Sequence, residues 1–314
     1  KREVEQAEEA VKLFSKLGRP AIKDYIEMIK SNRIKNCPVV VDDVRRALKI
    51  WGKDVGVLMG RTVRRRPDPL VDEILHRSET DYTILYMDLF FVNGLAFLLS
   101  ISKGYNLLVI RYTNDRRRET VEKAILETLS VYKKYNVVIN GIISDGEGAM
   151  GAMKTFIESQ GITVEQASKN EHVAIIERAG RQVKERVRSF VNILKYQLTK
   201  QMLIYLIYYL VSMINLFPRS TSAIDGVAPK TKLTGKTLDY EVDCRLEFGD
   251  YVHANEDNVI TNSMKARTFP AICLGPVGNL QGSYYFMNLN TWQVVKRRQW
   301  TKLPLPNEII NKIN

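Results

Sequence analysis

The chain has 314 residues, of which 45% are hydrophobic and 26% are charged, an ordinary composition for a globular protein that argues against disorder. Lysine and arginine outnumber aspartate and glutamate by 47 to 35, so the net charge of +12 favours nucleic acid as a partner before an acidic membrane. Three cysteines and three histidines exclude a disulfide framework and a zinc quartet and indicate a reducing compartment. Because the chain starts at Lys1, we expect a fragment of a longer polyprotein.

Apolar residues at three- and four-residue spacing predict three short helices over residues 1–52. Three short helices predict a small helical bundle over residues 1–60, and none of them carries catalytic chemistry. Residues 61–80 follow as a basic linker, kept extended by two prolines and by four arginines that include Arg64, Arg65 and Arg66. This linker either only tethers the bundle or also grips phosphates, and the sequence leaves both readings open.

From residue 81 the composition favours β-structure. Apolar runs separated by Asn93-Gly94 and Lys103-Gly104 predict three consecutive antiparallel strands. A helix, a fourth strand, a short helix, a short strand and a long basic helix follow. The order βββαβαβα predicts a mixed sheet flanked by helices over residues 81–218, with the ends of the first and fourth strands side by side. The apolar run at 202–217 is shorter than the ~20 residues of a membrane span, so it predicts a buried helix.

The last third of the chain changes character again. Residues 219–240 read as a second linker, and residues 241–306 contain short alternating runs separated by glycine, proline and asparagine turns. This pattern predicts a small β-barrel of the SH3-like kind, followed by a tail at 307–314. The whole chain is therefore predicted to be a multidomain α/β protein.

Two aspartates stand out because of the apolar runs around them. Asp88 lies inside such a run, where a carboxylate is costly unless something pairs with it, and a nearby arginine is the simplest alternative partner. Asp145 directly follows another apolar run, and its alternative role is an ordinary Asp-Gly turn. The predicted topology nevertheless sets the two strand ends side by side.

The long basic helix has two distinct faces. At 100° per residue a carboxylate and three cations share one flank, next to a buried apolar stripe. The alternative is a solvated face in which a Glu177–Arg181 pair contributes only ~0.2–0.5 kcal/mol. The flank consists of Glu177, Arg181, Lys184 and Arg188, and the stripe consists of Ile176, Val183, Val187, Phe190 and Leu194.

Together the three carboxylates suit a magnesium site. Carboxylate oxygens are ligands for Mg²⁺, a hard cation that also accepts substrate phosphate oxygens. Two such ions ~3.5–4 Å apart can activate the attacking oxygen and stabilise the leaving one in an in-line displacement. Arg181, Lys184 and Arg188 would then hold a phosphate backbone beside the metals.

At these residues the chain resembles retroelement integrases, in particular the Ty1/copia retrotransposon type. The resemblance implies a ribonuclease H-like core in which Asp88, Asp145 and Glu177 are catalytic ligands of two Mg²⁺ or Mn²⁺ ions. It also implies 3′-end processing of element DNA and strand transfer into target DNA. The resembling stretches are Tyr86-Met-Asp88-Leu-Phe-Phe-Val, Ile143-Ser-Asp145-Gly-Glu-Gly and His172-Val-Ala-Ile-Ile-Glu177-Arg178-Ala-Gly-Arg.

The resemblance extends over about residues 17–306 and implies further properties. The helical module of such integrases usually binds zinc, but Arg19 stands where a histidine is common and Cys37 lacks a partner cysteine, so we expect no zinc. DNA at the element ends and target is the implied partner, with a homo-oligomer, no membrane and nuclear localisation after particle assembly in the cytoplasm. Arg178, Arg181, Lys184 and Arg188 of the helix, with Arg64, Arg65 and Arg66 of the linker, are the implied DNA contacts.

The chain departs from the family at the third carboxylate. The 31 residues between Asp145 and Glu177 are fewer than the wider family favours, and Glu147 and Glu171 are rival ligands. Two rival functions also remain: a hydrolytic nuclease of the ribonuclease H type, and an inactive or domesticated integrase relic that only binds DNA.

Overall fold

The computed structural model describes residues 2–17, 19–31, 34, 36–61, 81–145, 151–167, 174–217, 227–236, 244–256, 264–279 and 281–314. The chain divides into two compact units. The first is drawn from residues 1–70 and 246–314, and the second from residues 71–245. The boundaries predicted for the separate modules remain predictions.

The first unit begins with four helices, α1 (Arg2–Lys16), α2 (Ile22–Lys30), α3 (Val41–Trp51) and α4 (Val55–Arg61). The three predicted helices are present, and buried Tyr25 joins the first two by donating a hydrogen bond to the Ala10 carbonyl at 2.9 Å. Helix α4 was not predicted. It begins where the Asp54 carboxylate accepts a hydrogen bond from the Val57 N–H at 2.9 Å, and it buries Leu58.

The second unit contains a five-stranded sheet and its flanking helices. The strands are β1 (Asp81–Val92), β2 (Leu95–Ser102), β3 (Leu108–Thr113), β4 (Val137–Asp145) and β5 (Thr163–Ala167). The helices are α5 (Arg118–Lys133), α6 (Lys154–Ser159), α7 (Ala174–Ile193), α8 (Lys200–Ile214) and α9 (Pro229–Thr234), with a 3₁₀ turn at Gly151–Met153.

This sheet has the strand order β3-β2-β1-β4-β5. Strands β1, β2 and β3 pair antiparallel, whereas β4 pairs parallel with β1 and β5 pairs parallel with β4. The predicted mixed sheet is therefore confirmed, and so is the prediction that the first and fourth strands are neighbours.

The two faces of this sheet have different coverings. Leu85 and Met87 of β1 are fully buried in a core that includes Val121 and Ile125 of α5. Helices α7 and α8 pack on the opposite face, over β1, β2 and β3. The apolar run predicted as a buried helix at 202–217 forms most of α8 and buries one face of it, whereas Phe217, after the helix, is 58% exposed. No helix among the described residues combines the length and apolar character needed to cross a membrane.

The chain then returns to the first unit and forms a second sheet, antiparallel, in the order β10-β6-β7-β8-β9. Its elements are β6 (Tyr251–Asn255), β7 (Thr268–Pro276), β8 (Tyr284–Asn288), β9 (Val294–Arg297), β10 (Trp300–Lys302) and a terminal helix α10 (Asn307–Ile313). Arg267 donates a backbone hydrogen bond to the Met59 carbonyl at 2.7 Å, which connects this sheet to the N-terminal helices. Helix α10 was predicted only as a tail, and closure into an SH3-like barrel stays a prediction.

A single buried amide connects the end of α8 to β3 in the second unit. The Asn215 side chain accepts from the Leu108 N–H at 2.9 Å and donates to the Leu108 carbonyl at 2.8 Å. Both residues are buried, so the amide substitutes for a neighbouring strand at this position of β3.

We therefore expect Asn215→Ala to lower the free energy of unfolding by about 2–3 kcal/mol, because it leaves the two buried polar groups of Leu108 without partners. Urea unfolding of the full chain, followed by circular dichroism, measures the effect. Asn192→Ala, an exposed asparagine of α7, is the matched control and should change the free energy by less than about 0.5 kcal/mol. Equal effects of the two substitutions would contradict this role of Asn215.

Candidate active site

The sheet register brings the two aspartate positions together. The last recorded pair between β1 and β4 joins Met87 with Ser144, so Asp88 and Asp145 are the next positions on adjacent parallel strands. Adjacent strands lie about 4.8 Å apart. Asp88 is half-buried, whereas its neighbour Met87 on the opposite face is fully buried. The central strand thus carries its carboxylate on the face away from α5.

Helix α7 packs on that face at the level of Asp88. A Cβ atom on Gly180 would lie 3.3 Å from Cδ2 of Phe90 and 3.7 Å from Cδ2 of Leu99. Phe90 follows Asp88 by two residues, and Leu99 is the partner of Asp88 on β2, so both share its face. Glu177 lies in the first turn of α7, three residues before Gly180, and is exposed. The contact therefore holds α7, three residues after Glu177, against the sheet face that carries Asp88.

The basic flank of α7 is exposed to solvent as its spacing predicts. Arg178, Arg181, Lys184 and Arg188 are all exposed, and Lys184 Nζ lies 5.1 Å from the centre of the Phe90 ring. Such a contact contributes ~0.5–1 kcal/mol at an exposed site and leaves the ammonium protons available to an anion. Arg178 instead donates to the Ala174 carbonyl of its own helix at 3.0 Å.

Three of the five residues in the predicted apolar stripe of α7 are buried, and the other two are Phe190 and Leu194. Phe190 is half-buried and contacts the Tyr209 ring of α8 edge-on at 5.8 Å, and Leu194 follows the end of the helix. The buried residues of α7 are Ile176, Ala179, Gly180, Val183 and Val187. Ala179 and Gly180 were missed, although two small residues in the middle of a helix are a sequence signal for close approach to a neighbour.

Several predicted residues lie outside the described part of the chain, namely Arg64, Arg65, Arg66, Glu147 and Glu171. For Asp145 the structure describes the backbone alone. Within the described residues, no group of three or more histidine, cysteine, aspartate or glutamate side chains could hold a metal ion. The metal ligands therefore remain predictions, although the oxygen donors at Asp88 and Glu177 are of the type that Mg²⁺ prefers.

No family model matches the chain, and no curated protein matches it by sequence. Among solved structures, the chain is similar to the catalytic core domain of BIV integrase, with 16% identity and a TM-score of 0.38 over 48% of this chain and 92% of that one. It is also similar to the HTLV-2 integrase catalytic core domain, described in complex with magnesium in a trimeric form, with 13% identity and a TM-score of 0.38 over 50% and 99% of the two chains. At a TM-score this low, neither likeness decides the fold or the function.

The contact of Gly180 with Phe90 leads to a testable prediction. Gly180→Ala should lower the free energy of unfolding by about 1–3 kcal/mol, because the added methyl overpacks the helix–sheet contact. In an exposed helix the same change would stabilise by about 1 kcal/mol. Adding Phe90→Leu should recover part of the loss, and urea unfolding of the two single variants and the double variant measures the coupling. Strictly additive effects would show that the two residues do not set each other's position.

Proposed function

We propose that this chain is an integrase of the Ty1/copia retrotransposon type, with its active site at Asp88, Asp145 and Glu177 in a ribonuclease H-like core. The observation that supports it best is the backbone register, in which position 88 on the central strand neighbours position 145 on the parallel strand beside it. The packing of α7 onto Phe90 and Leu99 also supports the proposal, because the helix that carries Glu177 then lies on the same sheet face as Asp88.

In this proposal the three carboxylates would hold two Mg²⁺ or Mn²⁺ ions. When bound, such ions activate the attacking oxygen and neutralise charge on the leaving oxygen of a phosphodiester. The half-buried position of Asp88 limits access of water to its carboxylate on the sheet side, which strengthens its interaction with a cation. The reaction is processing of a DNA 3′ end, followed by transfer of that end into target DNA.

The basic flank of α7 would position the DNA. Arg181, Lys184 and Arg188 lie on the helix that carries Glu177, so phosphates bound there would lie beside the carboxylates. Lys184 is already held above Phe90, two residues from Asp88, and would lose little freedom on binding. Arg64, Arg65 and Arg66 would add contacts from the linker, in a homo-oligomer that acts in the nucleus.

The catalytic part of the proposal predicts that Asp88→Asn abolishes joining. Joining of a labelled donor 3′ end to target DNA in Mg²⁺ or Mn²⁺ should fall by about 10³-fold or more, since loss of one member disables a catalytic unit. DNA binding should persist. Asp24→Asn, an exposed aspartate of α2, is the control and should join normally.

Other outcomes would separate this proposal from its rivals. Cleavage of an RNA–DNA hybrid in preference to joining would identify a hydrolytic nuclease. If the folded chain binds DNA but neither joins ends nor binds Mg²⁺ or Mn²⁺, it is an inactive relic and the catalytic proposal is wrong.

The DNA-binding part predicts a change in salt dependence. For each lost phosphate contact the slope of log binding constant against log salt should fall by about 0.9 for duplex DNA. We expect this change for Arg181→Ala and Arg188→Ala, measured by fluorescence anisotropy over a series of salt concentrations. Lys154→Ala, at an exposed lysine of α6, should keep the full slope. Equal slopes in all three variants would exclude the α7 flank as a phosphate contact.

A further inference from the structure

Three consecutive exposed arginines, Arg116, Arg117 and Arg118, lie between the end of β3 and the first turn of α5. We call them the arginine run. Carboxylates of the same segment pair with two of its members. Arg117 Nε lies 3.5 Å from Asp115 Oδ2, and Arg118 Nε lies 2.7 Å from Glu122 Oε1. The charges of these two arginines are therefore partly neutralised by their neighbours.

Arg116 is held in a different way. Its guanidinium carbon lies 4.5 Å from the centre of the Phe91 ring, within the range of a cation–π contact. The ring leaves the guanidinium N–H groups available to an anion. The segment around Arg116 is fixed as well, because Asp115 Oδ1 accepts hydrogen bonds from the Arg117 N–H at 3.0 Å and from the Thr120 hydroxyl at 2.7 Å. Arg116 would therefore lose little freedom when it binds an anion.

The ring under Arg116 is next in sequence to the ring under Lys184. Phe90 and Phe91 are consecutive residues of the central strand, so their side chains lie on opposite faces of the sheet. Lys184 Nζ lies 5.1 Å from the centre of the Phe90 ring, on the face of α7. Phe91 follows Met87 by four residues and shares its face, the face of α5. Each face of the central strand therefore carries a cation held on an aromatic ring.

The contact between Arg116 and its ring lies at the sheet edge where the candidate site is. The register places Phe91, Ala96 and Thr113 in one row across β1, β2 and β3. This row lies three residues beyond Asp88, which is roughly 10 Å at about 3.3 Å per residue. A phosphate bound to Arg116 would therefore lie at the same sheet edge as the carboxylates, on the face opposite α7.

One duplex is poorly suited to follow both faces. Arg181 and Arg188 are seven residues apart on α7, so phosphates bound to them would follow the helix over roughly 10 Å on one face. DNA has a persistence length of about 50 nm, so a sharp bend around the end of the β1–β2 hairpin to reach the other face is unfavourable. The proposed joining reaction, moreover, brings two DNA segments to one set of carboxylates.

We propose that Arg116 holds a phosphate of a second DNA duplex, on the sheet face opposite the duplex held by α7. The strand that carries Asp88 then lies between the two segments that the reaction joins. Its ligand is the phosphate backbone, which the donor end and the target share. This inference rests on the proposed function, because it takes the DNA and the joining of two segments from there.

The test measures how many duplexes one chain binds in the absence of divalent metal, so that joining does not enter. The full chain is titrated with a short, labelled, blunt duplex of arbitrary sequence. Fluorescence anisotropy measures the affinity, and sedimentation measures the number of duplexes bound. Wild type should bind two duplexes per chain. Arg116→Ala should weaken one of them about tenfold and lower its salt slope by about 0.9, whereas Arg181→Ala combined with Arg188→Ala should weaken the other.

The arginine run supplies its own controls. Arg117→Ala and Arg118→Ala each remove one positive charge that a carboxylate already pairs with, so both should keep the wild-type affinity within about twofold. Arg116→Lys keeps the charge and should recover most of the salt slope, which a purely structural role of Arg116 would not. Because Arg116 is exposed, all of its variants are expected to fold, and circular dichroism checks this.

Three binding results would overturn the inference. These are one duplex per wild-type chain, unchanged affinity of Arg116→Ala for both duplexes, and weakening of the same duplex by Arg116→Ala and by the α7 variants. Two bound duplexes without joining in Mg²⁺ or Mn²⁺ would remove only the catalytic proposal. Normal joining with one duplex per chain would remove only this inference.

Joining assays identify which segment Arg116 holds. Arg116→Ala should raise the half-saturating concentration of either the donor end or the target about tenfold, with little change in the maximal rate, because it removes binding alone. Arg188→Ala should raise that of the other segment. If Arg116→Ala raises both concentrations equally, the residue does not hold one segment and the inference is wrong.

Discussion

The alternation of buried and accessible residues along the central strand is the constraint on which the candidate site depends. Leu85 and Met87 are fully buried against the α5 side, and burial of each such side chain is worth about 1.5–3 kcal/mol. A slip of β1 by one residue would expose both and would press the Asp88 carboxylate into the apolar core. The position of the carboxylate is thus a consequence of how the core is filled.

The packing of α7 adds a second constraint that acts through very few atoms. Gly180 lets the helix approach the rings and methyl groups of Phe90 and Leu99, which flank Asp88 on its own face. Lys184, one turn further along the helix, rests on the same Phe90 ring. A cation paired with a carboxylate would be neutralised, whereas a cation held by a ring keeps its charge for phosphate. The same aromatic residue therefore seats the helix and orients its positive charge.

Sequence periodicity was sufficient to predict much of the second unit, because alternation and helical spacing are local. The mixed sheet, the neighbouring ends of β1 and β4, and the exposed flank of α7 all follow from such patterns. Contacts between distant segments were missed. The backbone hydrogen bond between Arg267 and Met59 joins residues about 200 positions apart, so residues 55–61 alone do not indicate this packing of α4.

A β-bulge in β4 determines the register of the candidate site. Thr83 pairs with Ile139 but Ile84 pairs with Gly141, so Asn140 is an extra residue in β4. If the same residues paired without this bulge, position 145 would neighbour position 89 rather than Asp88. The bulge also brings Gly141 opposite Ile84, and the Asn140 carbonyl accepts a hydrogen bond from the Thr163 hydroxyl of β5 at 2.7 Å. The bulge thus aligns the two aspartate positions on adjacent strands. A change in the bulge would therefore alter the register that brings the two aspartate positions together.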